Sequence, residues 1–490
     1  MIRLRSFFED LGKRFAGRAL LILSGSLFGQ GIALITLPII SNLYSTDVIG
    51  RAASSLALMN ILSMIVCLQY DQAIIVGRDH ELKSILIIAS TSSVFFALLF
   101  FFLLRFLNRV ISVSFGVVDI SFSIEGYFPV LLLTYTIFIL LLNFRLRKDN
   151  LRRVSLGRSV YYGGGAILQV ILGKWISGTE EVYIYSQILG SFVAILVLFP
   201  YLGFTHWCRN FSLSNTYKEV KKVFIEYKNF PKYQMGAAFI NALSAQLPVL
   251  FLRFLFSETW AGLYFMASRL VSAPINLLSQ AVGQIFYRDT AERERKGDNQ
   301  NSLVENTAVS LALVSLLPSI TIGVFSKFFV NLFLDSRWQG VGSLIQVLMI
   351  GVTITFIVSP LSPLLNVKGK QAGSLFYNIV LFISKLIGLL VGYLLNSAFL
   401  SVTFFSVGTA IGMILFLNYL LSSVGSNISD LLKRILPLLL GCLFIVALLL
   451  LSRILITSNP YFYAVAFLLI CFATVIEYKV FRKDYITNQY

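Results

Sequence analysis

The sequence predicts an all-α polytopic membrane protein of about fourteen transmembrane helices. Three observations predict it. Hydrophobic residues make up 57% of the chain and charged residues 13%, where a soluble globular chain carries about 25% charged residues. The apolar residues fall in blocks of about 20, enough for a helix to cross ~30 Å of hydrocarbon. The basic residues gather in alternate loops between those blocks. A membrane barrel would show segments of about 10 alternating residues, a pattern the sequence lacks.

The blocks run in order 19–40, 52–76, 84–104, 128–144, 159–177, 182–203, 234–256, 261–286, 306–326, 341–366, 373–395, 398–420, 431–452 and 460–478. The first follows a basic N-terminus, as a signal peptide does. It is too long for an h-region and no small-residue cleavage site follows, so it reads as an uncleaved span. The fourth is short, and the fifth opens with Gly163-Gly164-Gly165, which lowers helix propensity. The four cysteines form no disulfide framework: Cys67, Cys442 and Cys471 lie within spans and Cys208 in a loop.

Orientation follows from charge. With fourteen spans the termini share a side, and thirty of the 40 Lys and Arg lie on it, against eight on the other side and two within spans. The positive-inside rule makes that side cytoplasmic. The net charge of +17 is therefore spread over inner loops rather than gathered into a nucleic-acid patch, and no nucleic-acid partner is expected.

The longest inner loop, 204–233, contains YKEVKKVFIEYKN from Tyr217 to Asn229. Val220, Val223, Phe224 and Tyr227 recur there at helical spacing. The segment reads either as a short helix on the inner leaflet or as a solvated linker. It divides a first bundle, 1–203, from a second, 234–421, and leaves 422–490 as two additional spans and a cytoplasmic tail. The two bundles share a short pattern. Leu37-Pro38, Ser45 and Gly50 end span one, and Leu247-Pro248, Ser257 and Gly262 end span seven, with a Ser-to-Gly step of five in both. Six spans separate the copies, so the repeat is parallel, and two six-helix bundles in parallel pseudo-repeat facing a central cavity are expected.

Polar residues within spans mark the candidate pathway. In span eight, Arg269, Ser272, Asn276, Gln280 and Gln284 fall on one face. In span eleven, Ser374, Asn378, Lys385 and Gly392 do the same, with Lys385 near mid-span. A charge at bilayer centre costs roughly 2.5–3.5 kcal/mol on insertion scales. Such faces therefore line either a wet pathway for an anionic or polar group or a polar seam between packed helices. The amides taken singly favour helix–helix contacts. Asp71, near the inner end of span two, reads as an ion or gating residue or as a local partner of Arg78. No nucleotide-binding loop, metal-ligand cluster or nucleophile elbow occurs. No cofactor, no metal and no catalytic residue are expected.

Several of these residues carry a resemblance. Gly29-Gln30-Gly31, Leu37-Pro38-Ile39-Ile40, Leu43-Tyr44-Ser45, Tyr70-Asp71-Gln72-Ala73-Ile74, Phe230-Pro231-Lys232-Tyr233, Gln246-Leu247-Pro248, Arg269-Leu270, Gln280-Ala281, and Trp338 through Ser359-Pro360-Leu361 occur in that order. Together they resemble the polysaccharide repeat-unit transporters of the multidrug/oligosaccharidyl-lipid/polysaccharide exporter superfamily. The chain departs from them at Asn42, where the family often has a basic residue, and at Thr46-Asp47, where it often has a Pro-acid pair.

The resemblance implies a flippase, not an enzyme. Its substrate would be undecaprenyl-pyrophosphate-linked oligosaccharide, moved to the outer leaflet of a bacterial inner membrane for O-antigen, capsule or exopolysaccharide. Membrane lipids, a polysaccharide polymerase and a chain-length regulator are the expected partners. In that reading Arg269 and Lys385 attract the anion, Asn276, Gln280, Gln284 and Asn378 line the path, and Asp71 couples or gates. The alternatives are a drug or cation antiporter of the same superfamily and a membrane enzyme, a polymerase or ligase, acting on the same glycan.

Overall fold

The computed structural model describes residues 16–115, 124–199 and 213–455, all helix and turn with no strand among the described residues. Thirteen of the expected spans fall on helices, and the fourteenth, with the C-terminal tail, lies outside the described residues. Ten helices are long and apolar enough to cross a membrane, or 11 when the bent first span is included. The expected count of fourteen is therefore reached only in part. Spans five and eight fail the apolarity and length test for physical reasons given below.

In chain order the first half of the fold is α1 (Ala16–Ile35), α2 (Leu37–Leu43), α3 (Thr46–Val66), α4 (Tyr70–Val76), α5 (Leu82–Phe115), α6 (Ile124–Arg147), α7 (Leu151–Ser159), α8 (Gly165–Trp175), α9 (Glu180–Leu198), α10 (Leu213–Glu226) and α11 (Met235–Leu255). The second half is α12 (Glu258–Lys296), α13 (Asn301–Phe333), α14 (Gly340–Val358), α15 (Leu364–Val367), α16 (Gln371–Leu394), α17 (Ala398–Ser423) and α18 (Ile428–Leu455). The chain forms two compact units, Met1–Phe265 and Met266–Tyr490.

Four of the expected spans are interrupted, span ten at the Ser359–Leu361 turn described below and three others as follows. Span one bends by 42° between α1 and α2, because Pro38 in the first turn of α2 has no N–H to give. Span two, expected as one block, is α3 and α4 separated by a turn in which Leu68 (φ 51°) and Gln69 (φ 60°) are left-handed. The Gln69 side chain donates to the Met64 carbonyl at 3.0 Å, giving an end of α3 a partner that lipid does not supply. Span five begins earlier than expected, at α7 with Asn150 as N-cap, and passes to α8 through a π-turn over Val160–Gly164. The triple glycine thus sits in and just after the π-turn instead of ending the helix.

That same span is held by close backbone packing. Gly25 and Gly29 on α1 form a Gly-x-x-x-Gly face. A Cβ on Gly25 would overlap the Ser155 carbonyl of α7, and one on Gly29 would meet the Ser159 carbonyl at 2.9 Å. Ser159 Oγ donates to the Gly25 carbonyl at 2.9 Å. On the outside of the first unit, Phe95, Leu98, Leu99, Phe102 and Phe106 stand exposed along α5 at helical spacing, a surface suited to lipid.

The segment α10 is a helix, as one of the two sequence readings has it. Val223 is buried in a cluster with Cys67, Tyr70, Ile74 and Ile85, while Phe224 and Ile225 are exposed beside Lys221 and Lys222. Polar contacts fasten the inner loop to it. Tyr227 donates to Glu81 at 2.7 Å. Arg78 lies 3.7 Å from Glu81 and 3.6 Å from Glu226. Burial raises the Glu81 carboxyl, but the Tyr227 hydroxyl and the Arg78 amide outweigh it and hold the group below the usual glutamate range.

The two copies of the short repeat meet. Ser45 caps α3 by accepting from Val48 N, and Ser257 accepts from Trp260 N at the start of α12. A Cβ on Gly50 would overlap the Glu258 carbonyl, and one on Gly262 would overlap the Thr46 carbonyl. Each glycine thus abuts the residue one past the serine of the other copy, so the contact is two-fold symmetric in kind. Thr259 also donates to Asp47. Only glycine lets the two first turns approach this closely.

Gly50→Val should part the first turns of α3 and α12, seen as faster maleimide labelling of a Thr46→Cys reporter, since Thr46 is 8% exposed; equal labelling would show the contact is not limiting. Glu81 contributes stability above the ordinary glutamate pKa of about 4.3 and loses it as pH falls through its lower folded value. Hydrogen exchange of α10 should therefore quicken below about pH 4, and Tyr227→Phe should move that onset to higher pH.

Candidate functional site

The polar face of span eight is carried by α12, whose polar content explains why it fails as an apolar span. Toward its C-terminal end Gln280 and Gln284 are exposed and line a cleft of about 540 Å³ with Ser279, Gly283 and Tyr287. The opposite wall is Ser359, Pro360, Pro363 and Asn366, from the break between α14 and α16. Ser359–Leu361 is a single tight turn there, since Pro360 and Pro363 prevent α14 from continuing. The wall behind the cleft is firm: Phe286, Val304, Ala308, Leu361 and Leu364 are buried in one apolar cluster. The lining surface is mostly apolar and none of the described residues that line it is charged; amides and hydroxyls are set into it. Such groups donate and accept in pairs, as sugar hydroxyls require.

The remaining candidates lie elsewhere. Arg269 is half-buried on α12, nearer its N-terminal end, and does not line the cleft. Asn276 lies on α12, but its side chain is outside the described residues. Asn378 is half-buried on α16, also away from the cleft. Lys385 is half-buried on the same helix, with Nζ 5.8 Å from the centroid of the Phe405 ring on α17, a cation–π distance. It stands about 200° around α16 from exposed Ile383, away from the apolar stripe of Ile383, Ile387 and Leu394.

It borders a tight seam. A Cβ on Gly388 would overlap the Phe404 carbonyl, and one on Gly408 the Ser384 carbonyl. Span eleven's polar face is thus shared between this seam and its margin, since Gly392 packs against Ser401.

Asp71 is 8% exposed, in the first turn of α4, where the helix N-terminus favours a carboxylate. Its Oδ2 lies 3.4 Å from Asn143 Nδ2 and 3.4 Å from Gln72 Nε2, and Asn143 also donates to the Asp71 carbonyl at 3.1 Å. The expected local pairing with Arg78 is replaced by these amides, because Arg78 turns to Glu81 and Glu226. The break at Leu68-Gln69, invisible in the hydropathy of span two, makes the difference.

Sequence reasoning missed a charged cluster in the first unit. Arg51 on α3 lies 3.1 Å from Glu180 and 2.5 Å from Glu258. Glu180, 3% exposed, also accepts from Tyr127 at 2.6 Å and Ser55 at 3.3 Å. Arg253 lies 3.5 Å from Glu258. These residues come from five helices far apart in the chain, so no spacing joins them. The one trace in the sequence is that Arg51 directly follows one copy of the repeat and Glu258 lies within the other.

Comparison with known proteins agrees with this architecture. Amylovoran biosynthesis protein AmsL of Erwinia amylovora is 21% identical over 203 residues, 41% of this chain and 52% of that protein. The match thus spans about half the length of that relative. The fold is that of lipid II flippase MurJ in an inward closed conformation, with a TM-score of 0.72 at 14% identity, covering 95% of this chain and 100% of that one. A single-residue mutant of the Vibrio cholerae MATE transporter VcmN is similar at a TM-score of 0.51 and 15% identity, covering 87% and 98%. A MOP superfamily transporter from Pyrococcus furiosus Vc1 also matches at 0.51 and 14% identity, covering 84% and 96%. The family described as polysaccharide biosynthesis protein matches residues 16–287, more than half of the chain, and the chain belongs to it.

Proposed function

We propose that this chain is a flippase. It moves undecaprenyl-pyrophosphate-linked oligosaccharide repeat units from the cytoplasmic to the periplasmic leaflet of a bacterial inner membrane, both termini cytoplasmic, for the assembly of a surface polysaccharide. The observation that carries the reading is the uncharged cleft in which Gln280, Gln284, Ser279, Tyr287, Ser359 and Asn366 set amides and hydroxyls into a mostly apolar wall, built into helices of a polysaccharide biosynthesis protein. A glycan loses hydration on leaving water, so its hydroxyls need replacement partners at each step, whereas its prenyl tail stays in lipid.

Transport would proceed by alternating access, the path opening to one face at a time. The paired first turns of α3 and α12 are a contact that would part as the outer side opens. Arg269 and Lys385 serve as anion attractors along the path, Asn276 and Asn378 as further polar lining, and Asp71 as an ion or gating residue. A cationic drug would want carboxylates in its path, and the cleft presents none.

The direct test uses vesicles that hold the purified protein and labelled lipid-linked oligosaccharide. The protein should raise the rate at which label crosses to the opposite leaflet. The double variant Gln280→Ala, Gln284→Ala should lower that rate about five- to thirtyfold, the loss of one or two hydrogen bonds at ~1 kcal/mol each. Lys385→Ala should abolish transport in a protein that is still inserted and folded, and Lys385→Arg should keep part of it. No acceleration by the unaltered protein refutes the function; unaltered transport by Lys385→Ala removes that residue from the path.

A further inference from the structure

The sequence alone places Arg158 among the cytoplasmic loop residues before span five. In the structure it is eight residues past the Asn150 cap, on a helical rod that continues through the π-turn to Trp175. At ~1.5 Å per residue that is about 12 Å from the helix start. The level of the inner surface is marked by its neighbours. Arg145 donates to the carbonyls of Leu198 and Phe199 at 2.7 and 2.9 Å, and Arg153 to Phe199 at 3.3 Å. Arg147 donates to the Ile74 carbonyl at 2.7 Å and pairs with Asp79 at 2.8 Å. These three arginines close the C-terminal ends of α9 and α4, where carbonyls lack helical partners. Arg158 lies more than one turn deeper than Arg153 and closes nothing.

Its surroundings are unlike theirs. The guanidinium has five N–H donors. Among the described residues its one hydrogen bond is from Nη1 to Ser26 Oγ at 3.4 Å, and no carboxylate pairs with it. Ser26 is 6% exposed, between Gly25 and Gly29 of the α1 seam, so the close packing that the glycines permit sets a neutral hydroxyl against the cation. One turn on stands Tyr162, 41% exposed, and the π-turn begins between them. Beneath it Tyr161 is buried, stacked on Phe138 with centroids 4.4 Å apart, which fixes the helix rotation. Single π-turns inside α-helices occur frequently at functional sites. A half-buried cation with most donors unused is costly inside a membrane protein and is rarely kept for packing.

We propose that Arg158, with Ser26 and Tyr162, forms an oxyanion site that holds the transported lipid-linked glycan by an acidic group on it. The guanidinium gives two parallel bonds to a phosphate or carboxylate, the Ser26 hydroxyl a third, and Tyr162 a flanking polar edge. The inference rests on the flippase reading for the identity of the molecule, not for the existence of the site. Two groups share this chemistry: the pyrophosphate of the carrier lipid and an acidic sugar.

The test measures binding and apo stability separately, on the full chain in detergent. The probes are a short-chain polyprenyl pyrophosphate, the corresponding neutral polyprenol, and a glucuronic-acid disaccharide without lipid. Raised thermal stability with the pyrophosphate but not the polyprenol assigns the site to the carrier; a response to the disaccharide alone assigns it to the glycan. Arg158→Ala and Arg158→Gln should weaken the effective probe about tenfold or more, as expected for loss of a charge-assisted pair, and Arg158→Lys should retain part.

The apo melting temperature should be unchanged or raised in Arg158→Gln, since an unpaired charge is removed. A lower apo melting temperature with binding retained would make Arg158 a packing residue and overturn the proposal, as would no response of the unaltered protein to any charged probe. Vesicle transport run in parallel separates the two readings. Absent transport with probe binding intact refutes the flippase and leaves the site. Equal transport by the unaltered protein and Arg158→Gln refutes the site and leaves the flippase.

Discussion

Lipid offers no hydrogen bond, so each departure from regular helix and each charge in this protein has to find its partner within the chain. Most of the observed detail follows from that constraint. The left-handed turn after α3 is answered by the Gln69 side chain. The freed carbonyls at the ends of α4 and α9 are answered by Arg147, Arg145 and Arg153. The buried carboxylate of Glu180 is answered by Arg51, Tyr127 and Ser55 together. Where the chain leaves polar groups unanswered, at the cleft of Gln280 and Gln284, the groups point to an opening large enough for water or sugar.

Cations of the chain therefore divide by what they touch. Arg145, Arg147 and Arg153 close helix ends by geometry. Arg51 and Arg253 are neutralised by glutamates, where the two repeat copies meet. Arg158 and Lys385 belong to neither group: one faces a serine hydroxyl and the other the face of Phe405. A weak, uncharged partner leaves Arg158 able to exchange its contact for those of a passing anion at low cost.

Much of this was legible in the sequence. Helical class, thirteen of the span positions, the α10 helix as one of two readings, the polar stripe of α12 and the family resemblance all follow from apolar block length, periodicity and ordered motifs. Breaks inside blocks were not legible, because Leu68 and Gln69 carry no turn signal and their left-handed backbone is fixed by tertiary contacts. The extent of span five was not either: Arg152, Arg153 and Arg158 look like a loop by composition, yet the helix runs through them because Asn150 caps it. The outer cluster escaped for a different reason. Its members are separated by up to 207 residues, and only packing brings them together. The Gly50 and Gly262 pair was visible as a repeat but not as a contact.

The central claim is that the polar face of α12 from Ser272 to Gln284 is wet while the protein sits in a bilayer. Cysteine substitutions at Ser272, Gln280 and Gln284, and at Ile383 as a lipid-stripe control, measure it through the rate of reaction with a membrane-impermeant maleimide in lipid vesicles. Rapid labelling at the α12 positions, slowed by lipid-linked oligosaccharide, with Ile383 inert, is the expected result. Rates at Gln280 and Gln284 as low as at Ile383 would show a dry face and contradict the account.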